Sequence, residues 1–320
     1  MTSSKLKILI LTKEFYKIYP KQKPKYDLFN SVEKYAEVKY WHKDGHINEI
    51  LKELNFIPDF IFHYDITGYA FSPRILGLDQ VNIPKGTYVI DAHWKPADRQ
   101  KYIDQNQIDL IFSATKEAFL NRYPQYSNKF RFLPFSVNPS IIKDLNLVRD
   151  IDFLLMGLLS TGSYPFRETV LKVFQNEKGF VYYPHPGHTT KNTNAIINER
   201  FAKELNRAKI FFTCGSNYKY PVAKFLEAPG CKTLLVAEPN QDIFELGFKD
   251  GVNFVACDSS NVYEKAMYYL SNSDERERIA LNGYKLVHEY HTNEVRAKEF
   301  IAYINEFLEK GNGCQHENKI

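Results

Sequence analysis

The sequence predicts an α/β protein made of two doubly wound domains that face each other across a cleft. Three observations carry the prediction. Short aliphatic runs alternate with helical stretches along most of the chain, as in a parallel sheet covered by helices on both faces. The 320 residues exceed the about 250–300 that a single core ordinarily fills. The segment PSIIKDLNLVRD separates two complete strand–helix series. The boundary is expected at 139–149, giving domains over 1–142 and 143–310 and a frayed polar tail over 311–320.

Composition narrows the class. Lys and Arg number 42 against 38 Asp and Glu, a net charge of +4, and the signs are interspersed, which gives nucleic acid no basic face to bind. Aromatic residues reach 15%, a share that suits cores and ring-stacking clefts alike. The four cysteines (Cys214, Cys231, Cys257, Cys314) form no CxxC pair and no Cys/His ligand spacing, and are read as reduced thiols. The apolar run Ile8–Leu11 is too short for a signal segment or a membrane span. The expectation is a soluble cytoplasmic protein with no membrane span.

The elements follow in order. KILIL (Lys7–Leu11) is a buried strand by its continuous aliphatic character. A helical segment near Asp27–Tyr35 precedes the strand AEVKYWH. INEILKELNF places Ile47, Ile50, Leu51 and Leu54 at helical spacing, and Pro58 is expected to stop that helix. DFIFHYD is the next strand, and GTYVIDAHW (Gly86–Trp94) another, followed by the polar helix ADRQKYIDQNQ. IDLIFSAT, a helix over Lys116–Arg122 and the run FRFLPFSVN complete the first series. The second restarts with the strand DIDFLLMGL, the helix ETVLKVFQ, the strand KGFVYYP and the helix NAIINERFAKELNRA, which stripes Ile197, Phe201 and Leu205. KIFFTCG, the helix PVAKFLEA, TLLVAE and NFVAC lead to closing helices near Val262–Leu270, Asp274–Tyr290 and over EVRAKEFIAYINEFLEK. In such sheets ligands sit at the carboxyl ends of the strands.

The stretch Lys209–Glu238 is the most informative. A buried strand ends in the small polar run Thr213–Asn217, and Pro221 stands where a helix can begin. Pro229-Gly230 is expected to end that helix before the next strand. A helix start just past a strand end offers backbone N–H groups to a phosphate. Glu227 lies early enough in the helix to accept hydrogen bonds from a ribose diol, or to pair with Lys224 on a solvated helix face.

This stretch resembles the nucleotide-sugar site of B-type-fold (GT-B) glycosyltransferases, retaining family-4-like enzymes above all. Their pattern is a glutamate, seven residues and a second glutamate, in a loop and helix that ends in Glu-Ala and a small-residue turn before an aliphatic strand. LEAPGCKTLLVAE matches the second half, so the resemblance implies that Glu227 holds the ribose. The first glutamate falls at Lys219, a charge reversal that bears on the donor-sugar contacts and on stereochemistry. Tyr218-Lys219-Tyr220-Pro221 is similar to a segment in a divergent bacterial branch, the spore-maturation CgeB-type proteins. The resemblance covers residues 150–305 best. It implies two Rossmann-like domains, an acceptor-side one over 1–142 and a nucleotide-sugar one over 143–310.

Other loops fit that expectation. In LSTGSYPFRETVL, Ser160, Thr161, Gly162 and Ser163 can bring backbone N–H groups to a phosphate. Arg167 can pair with a diphosphate oxygen, as the resemblance implies, or lie solvated beside Glu168. No GxxxxGK[ST] is present, so the loop is not a P-loop. Strand alternation puts Asp91 and His93 on one side of YVIDAHW. The resemblance implies a histidine near the sugar, placed at His93, with Asp91 orienting it or acting as base on the acceptor; a strand-end histidine bonded to a carbonyl, with Trp94 in the core, is the alternative. Ser216 and Asn217 can donate to phosphate or sugar, or cap the helix. Tyr220 stands beside them in the same segment.

Tyr183, His185 and His188 can line a base pocket, and the two histidines alone are too few for zinc. Asp150-Ile151-Asp152 has a DxD form but starts a strand, away from the cleft. Tyr16, Lys17 and the run KQKPK form a basic first loop that can meet an acceptor, an anionic surface or solvent. The expected activity is metal-independent, retaining transfer of a sugar, of hexosyl type, from a nucleotide diphosphate-sugar to an acceptor hydroxyl on a glycan, small molecule or protein, with no further cofactor. Arg167, Lys219 and Lys224 are assigned to the diphosphate charge, Glu227 to the ribose, and domain closure to excluding water. A sugar-nucleotide epimerase on the same scaffold and a non-catalytic small-molecule binder are the alternatives.

Overall fold

In β1 (Lys7–Leu11) the side chains of Ile8, Leu9, Ile10 and Leu11 are all fully buried, as a strand covered on both faces requires. The computed structural model describes residues 5–65, 71–159, 162–187 and 194–316, of which 311–316 as backbone only. The chain divides into two compact units. One holds Met1–Ile18, Tyr26–Pro134 and Glu294–Ile320, the other Tyr19–Lys25 and Phe135–Asn293.

The first unit continues through α1 (Phe15–Ile18), most of α2 (Lys23–Val32), β2 (Glu37–Trp41), β3 (Gly45–His46), α3 (Ile47–Leu54), β4 (Phe60–His63), β5 (Ile75–Leu76), β6 (Lys85–Val89), α4 (Pro96–Gln105), β7 (Leu110–Ser113), α5 (Glu117–Arg122) and β8 (Phe130–Phe132). Its parallel sheet runs in the order β2-β1-β4-β6-β7-β8. Asn55, in the left-handed region at φ 46°, ends α3, ahead of the expected stop at Pro58.

The second unit holds β9 (Ile151–Gly157), α6 (Pro165–Phe174), β10 (Phe180–Pro184), α7 (Asn198–Arg207), β11 (Ala208–Thr213), α8 (Lys224–Gly230), β12 (Leu234–Ala237), α9 (Gln241–Glu245), β13 (Val255–Ala256), α10 (Val262–Ser271) and α11 (Ser273–Tyr290). Its sheet is parallel, in the order β10-β9-β11-β12-β13. Alternate residues face opposite ways. Phe153, Leu155, Ile210, Phe212, Leu234 and Val236 pack with Phe166, Val170 and Phe174 of α6 and with Val262 and Ala266 of α10. Leu154, Phe211 and Leu235 are buried on the other face, toward α7, α8 and α11. Each such side chain contributes about 1.5–3 kcal/mol, so the strand ends are held on a rigid base.

The last helix, α12 (Asn293–His316), sets Phe300 against Phe62 and Phe112 at ring-centroid distances of 4.9 Å, inside the first unit. The linear expectation gave this helix to the second domain and a frayed tail from 311; the helix instead runs on to His316. Tyr19–Lys25 likewise groups with the second unit although it follows β1 in the chain. Neither assignment can be read from local pattern, because both depend on contacts between residues far apart in sequence. Among the described residues no helix is long and apolar enough to cross a membrane. Cys214, Cys231 and Cys257 are buried free thiols.

Candidate functional site

In the second unit the chain leaves β9 toward β10 on one side and returns to β11 on the other. The strand order therefore reverses between β9 and β11, and the crevice past their carboxyl ends is where such a sheet takes a ligand. The two loops that leave these ends are joined. Asn217 donates its backbone N–H to Ser163 O at 3.0 Å and its side-chain amide to Gly162 O. Ser216 Oγ accepts from the Tyr218 N–H at 3.3 Å. Ser216 and Lys219 both take left-handed backbone, at φ 62° and 54°, in a turn closed by Tyr220 N–H to Gly215 O at 2.8 Å. A Cβ on Gly215 would lie 2.7 Å from Tyr220 O, so only glycine admits this turn. Lys219 is exposed at its tip, and the Tyr218 and Tyr220 rings stack at 5.6 Å.

Helix α8 starts later than the sequence suggested. Its first residue is Lys224, not Pro221, and neither Ser216 nor Asn217 caps it. The N–H groups of Phe225, Leu226 and Glu227 already bond to Val222 and Ala223 carbonyls at 2.9–3.0 Å, so the expected free amides are largely taken. Pro229 and Gly230 close the helix from within its last turn, where Gly230 lets Ile142 approach: a Cβ there would meet its Cγ2 at 2.6 Å. An anion at this crevice must be held mainly by side chains.

Those side chains are present. Arg167 is 3% exposed and has no carboxylate partner among the described residues. Two of its nitrogens reach Leu158 O and Cys214 O at 3.4 Å, both long contacts, and its Nε has no partner among the described residues. Its guanidinium lies 4.0 Å from the centre of the Tyr164 ring. Gly157, the last residue of β9 at φ 130°, makes room, since a Cβ there would stand 3.0 Å from Arg167 Nη1 and 3.7 Å from Lys224 Cε. The solvated arginine beside Glu168 is thereby overturned.

Lys224 and Glu227 are half-buried one helical turn apart and form no ion pair with each other, so the surface-pair alternative fails as well. Burial, then the Arg167 charge, holds Lys224 down at about 8. Lys21 is also half-buried; burial, then the Lys224 charge, lowers it to about 7, with Lys25 and Arg167 adding to the effect. Burial raises the Glu227 carboxyl against the pull of Lys224, Lys21 and Lys25. Three lysines, Lys224, Lys21 and Lys25, thus act on one carboxylate, and Arg167 acts on two of the three. Lys21, Lys224 and Glu227 border a cavity of about 80 Å³ whose other walls are mostly apolar, Ile142, Ile197 and Phe201 among them, with Ser136, Asn138 and Asn198 adding polar groups. The Glu227 carboxylate is therefore not set in bulk solvent.

In the first unit β6 stops at Val89, so the alternation argument for Asp91 and His93 does not apply; both lie in the turn between β6 and α4. Asp91 is exposed and His93 half-buried, its pKa lowered by burial against the Asp91 charge. Trp94 is 54% exposed, not core. The turn is pinned from below. Tyr123 Oη donates to Ala92 O at 2.8 Å, and Arg99 donates from Nε to Trp94 O at 3.1 Å while pairing with buried Asp65 at 2.9 Å.

Asp150 pairs with Arg207 at 2.8 Å and Asp152 with Lys209 at 2.5 Å, at the amino end of β9, away from the crevice. Tyr183 donates to Glu204 at 3.0 Å, and His185 contacts Lys21. Ser160, Thr161 and His188 lie outside the described residues. Among the described residues no group of three or more His, Cys, Asp or Glu could hold a metal ion. Sequence reasoning missed Lys21 as part of this site, along with Tyr164 and Gly157. The run KQKPK and the glycine ending DFLLMG were visible, but their neighbours were not.

Two parallel, doubly wound sheets, the second with its loops converging at a strand-order reversal, make the architecture of the GT-B glycosyltransferases. The chain belongs to the glycosyl transferase-like family, whose sequence model matches residues 141–302. No curated protein matches the sequence. Among solved structures it is similar to a glycosyltransferase from Rickettsia africae ESF-5, at 11% identity and a TM-score of 0.64 over 95% of this chain and 99% of that one. It is also similar to Anabaena HepE in complex with UDP and glucose, at 10% and 0.60 over 94% and 100%. The pneumococcal O-GlcNAc transferase GtfA in complex with UDP and GlcNAc matches at 11% and 0.52 over 82% and 60%. At these identities the likeness is one of fold.

Proposed function

We propose that the protein transfers a sugar, of hexosyl type, from a nucleoside-diphosphate sugar to an acceptor hydroxyl, without a metal and with retention of configuration. The observation that carries this reading is the buried, carboxylate-free guanidinium of Arg167 beside Lys224, at the strand-order reversal of the second unit. A buried arginine without a counter-ion is costly unless an anion completes it. The diphosphate is the anion of matching chemistry. Its negative charge grows as the glycosidic bond breaks, and fixed cations stabilise that growth without rearranging.

Arg167 and Lys224 hold the diphosphate, with Gly162, Ser163, Ser216, Asn217 and Tyr220 shaping the loops around it. Lys219, at the exposed turn, reaches the sugar or the outer phosphate. Glu227 accepts from the ribose hydroxyls, and the apolar wall with Ile197 and Phe201 offers the base a face. The unit bearing Asp91 and His93 takes the acceptor side: Asp91 removes the acceptor proton and His93 contacts the sugar. UDP is the first nucleotide to test, since the HepE and GtfA structures hold it. The Tyr218–Pro221 segment supports a place in the bacterial CgeB-type branch. Three buried free cysteines suit a reducing cytoplasm.

Calorimetric titration with uridine, guanosine, thymidine and cytidine diphosphates tests the proposal. One of them binds, and Glu227→Ala weakens it about tenfold, the loss of one hydrogen bond to a charged group. Failure of all four to bind, or unchanged affinity in Glu227→Ala, overturns it.

A further inference from the structure

We propose that Lys21, carried by the loop after β1, is a ligand for the donor diphosphate and takes up a proton when the donor binds. The inference rests on the reading of the site given above and goes beyond it in naming a residue and a proton.

The segment Tyr19–Lys25 belongs to the second unit, where Asn198 donates from its side-chain amide to Pro20 O at 3.1 Å. Lys21 Nζ contacts His185 Nε2. The other ring nitrogen of His185, Nδ1, accepts the Gly187 N–H at 3.0 Å, which fixes the ring beside Lys21. Lys21 also borders the cavity that Lys224 and Glu227 line, so its amine stands among the groups assigned to the donor. The surroundings favour its uncharged form. Lys224 on α8, Arg167 on α6 and Lys25 on α2 repel a charge on Lys21, and Glu227 on α8 attracts one. Burial and these charges bring Lys21 to about 7.

A diphosphate reverses that balance. Its oxygens face the same cations, so the ammonium form of Lys21 gains a partner, leaves the His185 nitrogen and keeps one proton drawn from solvent. Linkage fixes the sign. Above pH 7 the free protein holds Lys21 largely neutral and the complex holds it charged, so affinity falls as pH rises through the window between about 7 and the ordinary lysine value near 10.5. Lys224, at about 8, shares part of the same uptake.

The test is calorimetry of UDP binding at pH 8.5 in buffers of different ionisation enthalpy, which reads net proton uptake. The wild-type protein takes up on the order of one to two protons. Lys21→Met binds about tenfold more weakly and loses at least half of the uptake, with thermal melting confirming its fold. Lys21→Arg, whose side chain stays charged throughout, keeps affinity within about threefold and loses the same share of uptake. A lysine that merely packs against the loop would not separate these two variants. Wild-type binding without net uptake, or equal uptake in Lys21→Met, overturns the role of Lys21 and leaves the donor site standing. Absence of any nucleoside diphosphate binding to the wild-type protein overturns both.

Discussion

Each unit of this protein carries an arginine in the first turn of a helix that begins with proline, and the two arginines live differently. Arg99 in α4 and Arg167 in α6 are 1% and 3% exposed. Arg99 has a full set of partners: the Asp65 carboxylate at 2.9 Å and the Trp94 carbonyl at 3.1 Å. Arg167 has two carbonyl contacts at 3.4 Å, an aromatic ring and an unpartnered Nε. The same residue in the same local setting braces a loop in one unit and keeps donors in reserve in the other. Burial alone therefore does not separate a structural cation from a binding one; the presence of a counter-ion does.

Removing each arginine tests the contrast most severely. Arg99→Met breaks the buried pair with Asp65 and lowers stability by about 3–5 kcal/mol in denaturant melts, the cost of removing one partner of a buried ion pair. Arg167→Met removes a charge that has no carboxylate partner among the described residues, so stability changes by no more than about 1 kcal/mol, while UDP binds at least about 100-fold more weakly. If Arg167→Met unfolds the protein and Arg99→Met spares it, the contrast is reversed and the account fails.

A smaller effect sharpens it. The loop that Arg99 pins carries Asp91 and His93, both clear of the core. Asp91→Asn lowers the transfer rate about 100-fold and His93→Ala about tenfold, each with UDP affinity unchanged and stability within about 0.5 kcal/mol. Steady-state kinetics with a competent acceptor reads this split. A loss of UDP affinity in place of rate would move these residues out of the acceptor role.

Much of the fold was legible because strands buried on both faces leave continuous aliphatic runs. KILIL, DFLLMG, KIFFT and TLLVA became β1, β9, β11 and β12. The Leu-Glu-Ala-Pro-Gly sequence singled out Glu227, which borders one cavity with Lys21 and Lys224. Element ends were less so. YVIDAHW reads as one strand because apolar and polar residues keep alternating past Val89, yet the chain bends at Ile90 and exposes Trp94. Pro221 looks like a helix start, but the tight turn of Val222 and Ala223 delays α8 to Lys224. Arg99 sat in a polar helix that looked solvated, and nothing local pointed to Asp65. Lys21 was hidden most completely. It appeared as one cation in a basic loop, and its partners His185, Lys224 and Glu227 lie far along the chain. Periodicity reports which face of an element is buried; it carries no information about which distant charge arrives there.

The central claim is that Arg167, Lys224 and Glu227 form one donor-binding site, and a crystal structure of the protein soaked with UDP tests it most directly. The account predicts diphosphate oxygens within hydrogen-bond distance of the Arg167 guanidinium and the Lys224 ammonium, with the ribose hydroxyls on Glu227. UDP bound elsewhere, with Arg167 still lacking an anionic partner behind Gly157, would contradict it.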